Sequence, residues 1–265
     1  MLRATAAILM TLALAGTCPG QGFEDDTEED RSWGELDEGP RSGDSAGTEE
    51  HRLLAGVRTV AAAGAGRAGL WVDVPVGRVE VEAGAGALLE ARYEVPDSLL
   101  IPEFGYAADS GRGRLEMSVA GSDDLDLTGL GDRTGYYLRV DGDILDDLDI
   151  SVPAGLVALS GVWPALADAD IEVGLGQVHA DLSGVDRSLG PLRFEVGFGQ
   201  LELVLPSSIG VRVRGGIDAG PARVEGLTGT EDGWVNARWE TAGERLEVEV
   251  HVDSGELVLL TAGRE

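Results

Sequence analysis

A short phrase that occurs twice in the chain restricts its fold more than any other feature of the sequence. Residues 172–183 are EVGLGQVHADLS, and residues 195–206 are EVGFGQLELVLP. The two copies share Glu, Val, Gly, Gly, Gln and Leu at equivalent positions. Looser copies occupy residues 79–88, 211–224 and 250–258. Repetition at about twenty residues is typical of stacked coils, in which each unit buries its apolar face against its neighbours.

Apolar and polar residues alternate through most of the chain after Arg52, and this period of two predicts β-strands that bury one face. In residues 245–250, Leu246, Val248 and Val250 share one face, and glutamates occupy the other. The same alternation is found in residues 70–84, 114–121, 193–206, 210–216 and 245–260. The sequence therefore predicts an all-β fold.

Each repeated unit has the order strand, glycine-containing corner, strand. A tight corner that stacks on another corner leaves no room for a Cβ atom, and it can require the positive φ angle that glycine adopts easily. The alternative interpretation, a phosphate-binding Gly-x-Gly loop, requires a helix after the glycines. Strand residues follow instead, and Gln177 and Gln200 stand where that helix would begin. We therefore predict repeat-built, stacked β-strands that resemble a β-solenoid, with no cofactor-binding residues.

The first residues predict an export signal, which we assign to residues 1–20. Arg3 provides a minimal positive region, and residues 4–16 form an apolar run of signal-peptide length that is short for a membrane span. Residues 13–15, Ala-Leu-Ala, fit a signal-peptidase cleavage site. The alternative is an N-terminal membrane anchor. Export would place the protein in the periplasm, in the outer envelope or at the cell surface.

Cys18 is the single cysteine of the chain, so an intramolecular disulfide is excluded. It follows residues 14–17, Leu-Ala-Gly-Thr, a partial match to the lipobox of bacterial lipoproteins, whose cysteine is diacylated. The leucine lies one position too far back, and Thr17 stands where that motif has Gly or Ala. Lipidation of Cys18 is one hypothesis, and a cysteine that is cleaved off or left as a free thiol is the other.

Residues 21–52 predict a disordered acidic linker ahead of a β domain at residues 53–263. Twelve of residues 23–50 are Asp or Glu, and two arginines oppose them. Such a segment cannot bury enough apolar surface to offset its chain entropy, and its charges repel one another. The alternative is an acidic tail that binds a partner.

The formal net charge of −28 restricts the partners of the whole chain. It excludes nucleic acid, because binding a phosphate backbone requires a basic patch. It also excludes electrostatic docking to anionic lipid. Contact with a membrane is therefore expected through a lipid anchor alone.

At residues 151–159 (SVPAGLVAL), 170–185, 191–220 and 255–260 the chain resembles a known group of bacterial proteins. It is similar to the toast-rack domains, which are related to cell-wall-active-antibiotic-response proteins and to a broad "putative adhesin" family. Asp-Leu-Ser-Gly at 181–184, Val-Leu-Pro at 204–206 and the paired Gly-x-Gly corners carry the resemblance, which extends over roughly residues 55–262.

This resemblance implies an all-β stack of repeated strands outside the cytoplasm. It implies no catalytic residue, because the family has no established catalytic motif to transfer. The chain differs from many members in its acidic spacer and in having no flanking transmembrane helices. That difference argues against a role as an integral-membrane stress regulator.

A search for catalytic chemistry finds no candidate residues, and we predict that the chain is not an enzyme. No Gly-x-Ser-x-Gly elbow occurs within the predicted β domain at residues 53–263, and the lone cysteine precedes the fold. His51, His179 and His251 lack metal-ligand spacing, so no metal ligand is assigned. His179 takes the place of Glu202 in the aligned repeat, which predicts that it faces solvent. A carboxylate pair for polysaccharide cleavage can always be proposed among 48 acidic residues, so it carries little weight.

Acidic clusters provide one candidate for a bound ion, Ca²⁺. The densest set lies in DGDILDDLD and comprises Asp141, Asp143, Asp146 and Asp147. Its spacing is not that of an EF-hand or of a calcium-binding β-roll, and the alternative is an acidic loop. A weaker cluster comprises Asp123, Asp124 and Asp126.

Three tryptophans are candidates for capping or contact. Trp163 follows SVPAGLVAL, where it is expected to cap the core. Trp234 and Trp239 lie five residues apart, so on one strand they would face opposite sides. We therefore predict that Trp234 or Trp239 contacts a partner.

The sequence as a whole favours an exported, non-enzymatic envelope protein. Its domain would be a scaffold or an adhesin-like module that contacts another protein or a glycan. Two alternatives are a polysaccharide-acting enzyme on a β-helix and a regulatory partner in the envelope stress response. Exposed strand edges at the ends of the stack could also support self-association.

Overall fold

The computed structural model describes residues 53–119 and 130–262. The predicted signal, the acidic linker, Cys18, His51 and the weaker aspartate cluster at positions 123, 124 and 126 lie outside these residues. What the sequence predicts for them stays a prediction.

The described residues form fifteen strands and two short 3-10 helices. The helices span Ser98–Leu100 and Gly131–Arg133. The strands are β1 (Leu54–Val60), β2 (Arg67–Asp73), β3 (Val76–Ala83), β4 (Leu89–Val95), β5 (Glu103–Asp109), β6 (Arg112–Ser118), β7 (Gly135–Val140), β8 (Leu145–Ser160), β9 (Asp168–Asp181), β10 (Leu192–Leu205), β11 (Gly210–Ala219), β12 (Ala222–Glu225), β13 (Thr228–Thr230), β14 (Gly233–Val235) and β15 (Arg245–Thr261).

Four long strands form the centre of the sheet: β8, β9, β10 and β15 pair in parallel, in that order. Near the middle of each strand, burial switches from residues of one parity (odd or even residue numbers) to residues of the other, and this switch divides the strand into two halves. In β9, Ile171 and Val173 are buried before this point, and Val178 and Ala180 are buried after it. We call this point the bend, the halves before it the first limb, and the halves after it the second limb.

Two further pairs of strands complete the central stack. β2 pairs with the first limb of β8 and β3 pairs with its second limb. At the other end of the stack, β11 pairs with the first limb of β15 and β12 with its second limb. We call each strand or pair of strands that crosses the bend a rung, and the stack therefore has six rungs: β2 with β3, β8, β9, β10, β15, and β11 with β12. The other strands extend the limbs. β6 and β5 lie beside β2; β7, β4 and β1 lie beside β3; β14 and β13 lie beside β11.

The prediction of an all-β fold of stacked repeats is confirmed, but the rungs do not follow the order of the chain. β15, the last strand, lies between β10 and β11 and pairs in parallel with both. Because every rung has the same kind of corner, the repeat itself does not specify which rungs become neighbours.

The bend has the same four-residue pattern in every rung: an aliphatic residue, two variable residues and a glycine. The aliphatic residue belongs to the hydrophobic core or packs against it. The six copies, in chain order, are VPVG (74–77), VPAG (152–155), VGLG (173–176), VGFG (196–199), IDAG (217–220) and VDSG (252–255).

The glycines that end this pattern stack directly on one another. Gly176 is in register with Gly155 on one side and with Gly199 on the other. A Cβ atom on Gly176 would overlap the carbonyl oxygen of Gly155, and one on Gly199 would overlap that of Gly176. The φ angle of Gly176 is +145°, a conformation that other residues rarely adopt. The predicted steric role of the corner glycines thus agrees with the structure.

One of the looser repeats is placed differently from the sequence alignment. The copy at 79–88 contains no bend, because the bend glycine of that rung is Gly77, and Gly84 follows β3 in its connection to β4. In the copy at 211–224, the bend glycine is Gly220. The short alternating runs around these glycines look alike, so local spacing alone could not identify the residue that stacks.

The core lies between the two limbs. It is lined by the alternating aliphatic residues of both limbs, with Phe194 among its largest fully buried side chains. Trp163 and Leu166, from the connection between β8 and β9, are buried against the same core, as are Leu182 and Val185 from the next connection. Trp163 therefore covers the core, as the sequence predicts.

Replacing the bend glycine in Gly176→Ala tests the stack. We expect a loss of about 3–5 kcal/mol in unfolding free energy, or no folding, because the variant combines an unfavourable φ with an overlap against backbone. Gly84→Ala has a φ of +139° but open space around its Cβ, so it should lose about 1–3 kcal/mol. Urea unfolding of both variants measures the difference. Gly86→Ala, whose Cβ would also contact nothing, is the control. Equal losses in all three variants would refute the stacking argument.

Candidate functional site

The outer face of the first limb consists of charged residues arranged in rows across the strands. In one row, Asp170 of β9, Arg193 of β10 and Glu249 of β15 are register neighbours. Arg193 contacts both carboxylates, at 3.2 and 3.5 Å, and they raise the pKa of its guanidinium, Asp170 most. Arg214 similarly contacts Glu247 at 3.6 Å. These side chains are exposed, so each pair contributes little to stability.

Carboxylates also face one another on this surface. Asp147 of β8 lies opposite Asp168 of β9. The pKa of Asp147 is raised by partial burial, then by the charge of Asp168, while Arg112 opposes the shift and Asp146 adds to it. Arg112 lies 3.3 Å from Asp146 and 3.4 Å from Asp147.

The aspartates proposed as a calcium site do not form one cluster. Asp141 lies in the turn before β8, where its carboxylate accepts a hydrogen bond from the backbone N–H of Asp143. Asp146 is buried beside Arg112, and Asp147 is on the outer face. Within the described ranges, three metal-ligating groups converge at a different place, Asp218, His251 and Asp253.

Those three residues lie at the bends of two neighbouring rungs. Asp218 is on β11, and His251 and Asp253 are on β15. All three are exposed, and one ligand atom of each lies within 4.8 Å of the others. The sequence alone does not reveal this group, because Asp218 lies far from His251 and Asp253 in the chain. The signal that could have found it is Asp-x-Gly, present in IDAG and VDSG alone among the six bend patterns.

An apolar surface lies at the middle of the bend. Leu175 and Phe198 are 57% and 59% exposed, and they are register neighbours on β9 and β10. Ala154 of β8 continues the same column beside Leu175. We call these three residues the bend surface. A depression of about 580 Å³ adjoins it, and Arg78, Leu175 and Gln177 are among the residues lining it.

The bend surface was not identified in the sequence analysis. Leu175 and Phe198 stand between two glycines in an alternating strand, where an apolar residue would ordinarily be counted toward the core. The change of parity at the bend turns them outward instead.

The structure places the two candidate contact tryptophans in different environments. β14 ends at Val235, so Trp234 and Trp239 do not share a strand, which corrects the premise of the prediction. Trp239 is 6% exposed, and the guanidinium groups of Arg212 and Arg245 lie 4.4 and 5.1 Å from its ring centroid. Trp234 is half-buried and packs against the core. A partner contact here stays a prediction, which the burial of Trp239 does not favour.

A buried asparagine explains this arrangement. The Asn236 side chain accepts hydrogen bonds from the N–H groups of Val211 and Arg238 and donates one to the carbonyl of Ile209. It therefore fixes the turn that separates the two tryptophans and holds it against β11.

The remaining residues of interest are His179 and Tyr136. His179 is exposed and lies 3.6 Å from Glu202, its register neighbour, so it faces solvent as predicted. Burial raises the pKa of Tyr136, whose hydroxyl donates a hydrogen bond to the carbonyl of Leu100. Among the described residues, no helix is long and apolar enough to cross a membrane.

Asp147→Asn should stabilise the protein at pH 7. The raised pKa means that folding favours the protonated form, so the contribution of Asp147 to stability is lost as pH rises through its folded pKa. Removing the charge should add a few tenths to about 1 kcal/mol at pH 7, the scale of a cross-strand charge pair. The gain should vanish below about pH 3, where aspartates are protonated in both states. Asp143→Asn is the control, because it removes the same charge from an exposed turn. Urea titrations of both variants at pH 7 and below about pH 3 separate the effect of the local environment of Asp147 from the effect of net charge. A matching gain in the control would contradict the local cause.

Asn236→Ala should destabilise the protein by about 2–4 kcal/mol, because two N–H groups and a carbonyl lose their partner. Tryptophan fluorescence during urea unfolding measures the loss. Arg238→Ala, in the same turn but exposed, is the control and should change stability by at most about 0.5 kcal/mol. A loss below about 1 kcal/mol in Asn236→Ala would show that water replaces these bonds.

Comparison with solved structures places this architecture among known folds. The structure of a "putative cell adhesion protein" from Clostridium sporogenes aligns with a TM-score of 0.71 and 19% sequence identity, over 80% of this chain and all of that one. A "putative adhesin" from Bacteroides fragilis aligns with a TM-score of 0.31 and 9% identity, over 79% of this chain and 97% of that one. No curated protein matches the chain. The first of these structures establishes a shared fold.

The family is established by the sequence itself. The family described as the N-terminal domain of toast_rack, DUF2154, matches residues 48–204, a range that includes β1 to β9 and nearly all of β10. The stack continues beyond the matched range, through β11, β12 and β15. This range is more than half of the chain, and the chain therefore belongs to the toast-rack family, as its resemblance to toast-rack domains implies.

Proposed function

We propose that this chain is an exported, non-enzymatic envelope protein whose β domain is an adhesin-like module that binds another protein through the bend surface. The observation that carries the proposal is the exposure of Leu175 and Phe198 side by side on adjacent strands. Single exposed apolar residues are common, whereas neighbouring ones rimmed by polar groups are typical of protein contacts. The glycine stack beneath them holds their backbone in place before binding, which limits the ordering cost.

The chemistry around the bend surface indicates what kind of partner fits. Glu172 and Glu195 are exposed on one side of it, and Gln177 and Gln200 lie on the other. The chain as a whole carries a net charge of −28. A protein that presents an apolar side chain surrounded by Lys or Arg would match both properties, and electrostatic attraction would speed its association.

The arrangement of the carboxylates favours binding over catalysis. The ionic rows on the first limb lie on an open strand face, and several carboxylates there are paired with arginine. A glycosidase instead requires two carboxyl groups that flank a bound sugar. The predicted signal at residues 1–20 supports export, and the name of the Clostridium sporogenes neighbour agrees with an adhesive role.

The test compares Phe198→Ser with Val162→Ser in the full chain. Both parent side chains are 59% exposed, but Val162 lies in the connection after β8, outside the bend surface. Each immobilised variant is titrated with a detergent extract of the organism's envelope. We expect a protein that the wild type and Val162→Ser retain saturably, and that Phe198→Ser retains at least tenfold more weakly.

Two additional arms of the experiment define the partner. Retention should survive periodate oxidation of the extract and should fall as salt is raised, since the rim is acidic. Loss of retention after periodate would instead assign a glycan and overturn the proposal of a protein partner. Equal retention by Phe198→Ser, or no saturable retention, would exclude binding at the bend surface.

A further inference from the structure

Asp218, His251 and Asp253 form a compact group of potential metal ligands on the outer face. One ligand atom from each lies within 4.8 Å of the other two. Nε2 of His251 lies 2.7 Å from a carboxylate oxygen of Asp253. The group joins two separate strands, because Asp218 is on β11 and the other two residues are on β15.

The bend pattern accounts for this convergence. Asp218 and Asp253 occupy the position directly after the aliphatic residue in IDAG and VDSG. These two rungs are neighbours, since Ile217 is in register with Val252. In the other four rungs the equivalent position is proline or glycine, which has no ligand atom in its side chain: Pro75, Pro153, Gly174 and Gly197. The stack thus brings two carboxylates together at one place along the bend.

No side chain of β11 lies opposite His251. Gly216 is its register partner, and glycine carries no side chain. On the other side of β15, Glu195 of β10 is the register partner of His251 and adds a further negative charge nearby.

The charges of the group also favour a cation. Elsewhere on this face, Asp170 and Glu249 have Arg193 as a partner, and Glu247 has Arg214. Within residues 53–119 and 130–262, the ion pairs of Asp253 include His251 and no arginine. Asp218 forms none of the salt bridges found in those residues. Two carboxylates are therefore held close together, and no arginine of the described residues forms an ion pair with either of them.

We propose that Asp218, His251 and Asp253 bind a divalent transition-metal ion of the zinc class. One imidazole nitrogen and two carboxylate oxygens suit Zn²⁺, which commonly takes three protein ligands and a water molecule. Ca²⁺ and Mg²⁺ prefer six or more oxygen ligands, which this group does not supply. The ion links β11 to β15 and therefore stabilises the position of the C-terminal strand in the stack. This proposal is independent of binding at the bend surface.

Calorimetric titration of the metal-free full chain with zinc sulfate tests the site. All proteins carry Cys18→Ser, because a free thiol is itself a zinc ligand. We expect saturable binding of one ion per chain. His251→Asn should weaken it at least tenfold, and Asp218→Asn should also weaken it. His179→Asn is the matched control, because the side chains of both histidines are 48% exposed and each lies beside a carboxylate.

Thermal unfolding provides a second measurement. Zinc should raise the Tm of the parent and of His179→Asn, and it should raise the Tm of His251→Asn by clearly less at the same concentration, since an ion that binds the folded state stabilises it in proportion to its affinity. Calcium chloride over the same concentrations should give no saturable binding at these residues. Zinc affinity that is equal in His251→Asn and the parent, absence of saturable binding, or equal affinity for calcium would overturn the proposal.

Discussion

The close approach of backbone to backbone at the bend glycines is the constraint on which the rest of the structure depends. At Gly155, Gly176, Gly199 and Gly255, the space where a Cβ would stand is filled by the carbonyl of the next rung. This contact lets the rungs stack at the bend as closely as they do along each limb. It also allows the change of parity that turns both limbs inward, so that each presents its aliphatic residues to one shared core.

The same constraint determines which surfaces are available for binding. A residue between two corner glycines lies where the pleat is interrupted, so its side chain can point outward even when it is apolar. Leu175 and Phe198 are exposed for this reason, and aspartates at the preceding position meet across neighbouring rungs. Along the limbs the ordinary alternation returns, and the outer face carries ionic rows such as Asp170–Arg193–Glu249.

The order of the rungs has consequences that reach beyond architecture. Because β15 lies between β10 and β11, its residues contact strands from distant parts of the chain. Arg193 pairs with Glu249 across one of these junctions, and Asp218 approaches Asp253 across the other. Ser188, in the connection before β10, accepts a hydrogen bond from the N–H of Arg245 at the start of β15. Sequence neighbours alone would have suggested none of these contacts.

The sequence by itself determined the all-β class, the buried face of strands such as β15, the glycine corners and the outward position of His179, because each depends on local periodicity or on backbone sterics. It also indicated the family. Tertiary structure decided the order of the rungs, the corner at Gly77 rather than Gly84, the burial of Trp239, the exposure of Phe198 and the convergence of Asp218 with His251. These depend on which strands become neighbours, and six similar corners leave that choice to the packing of the whole core.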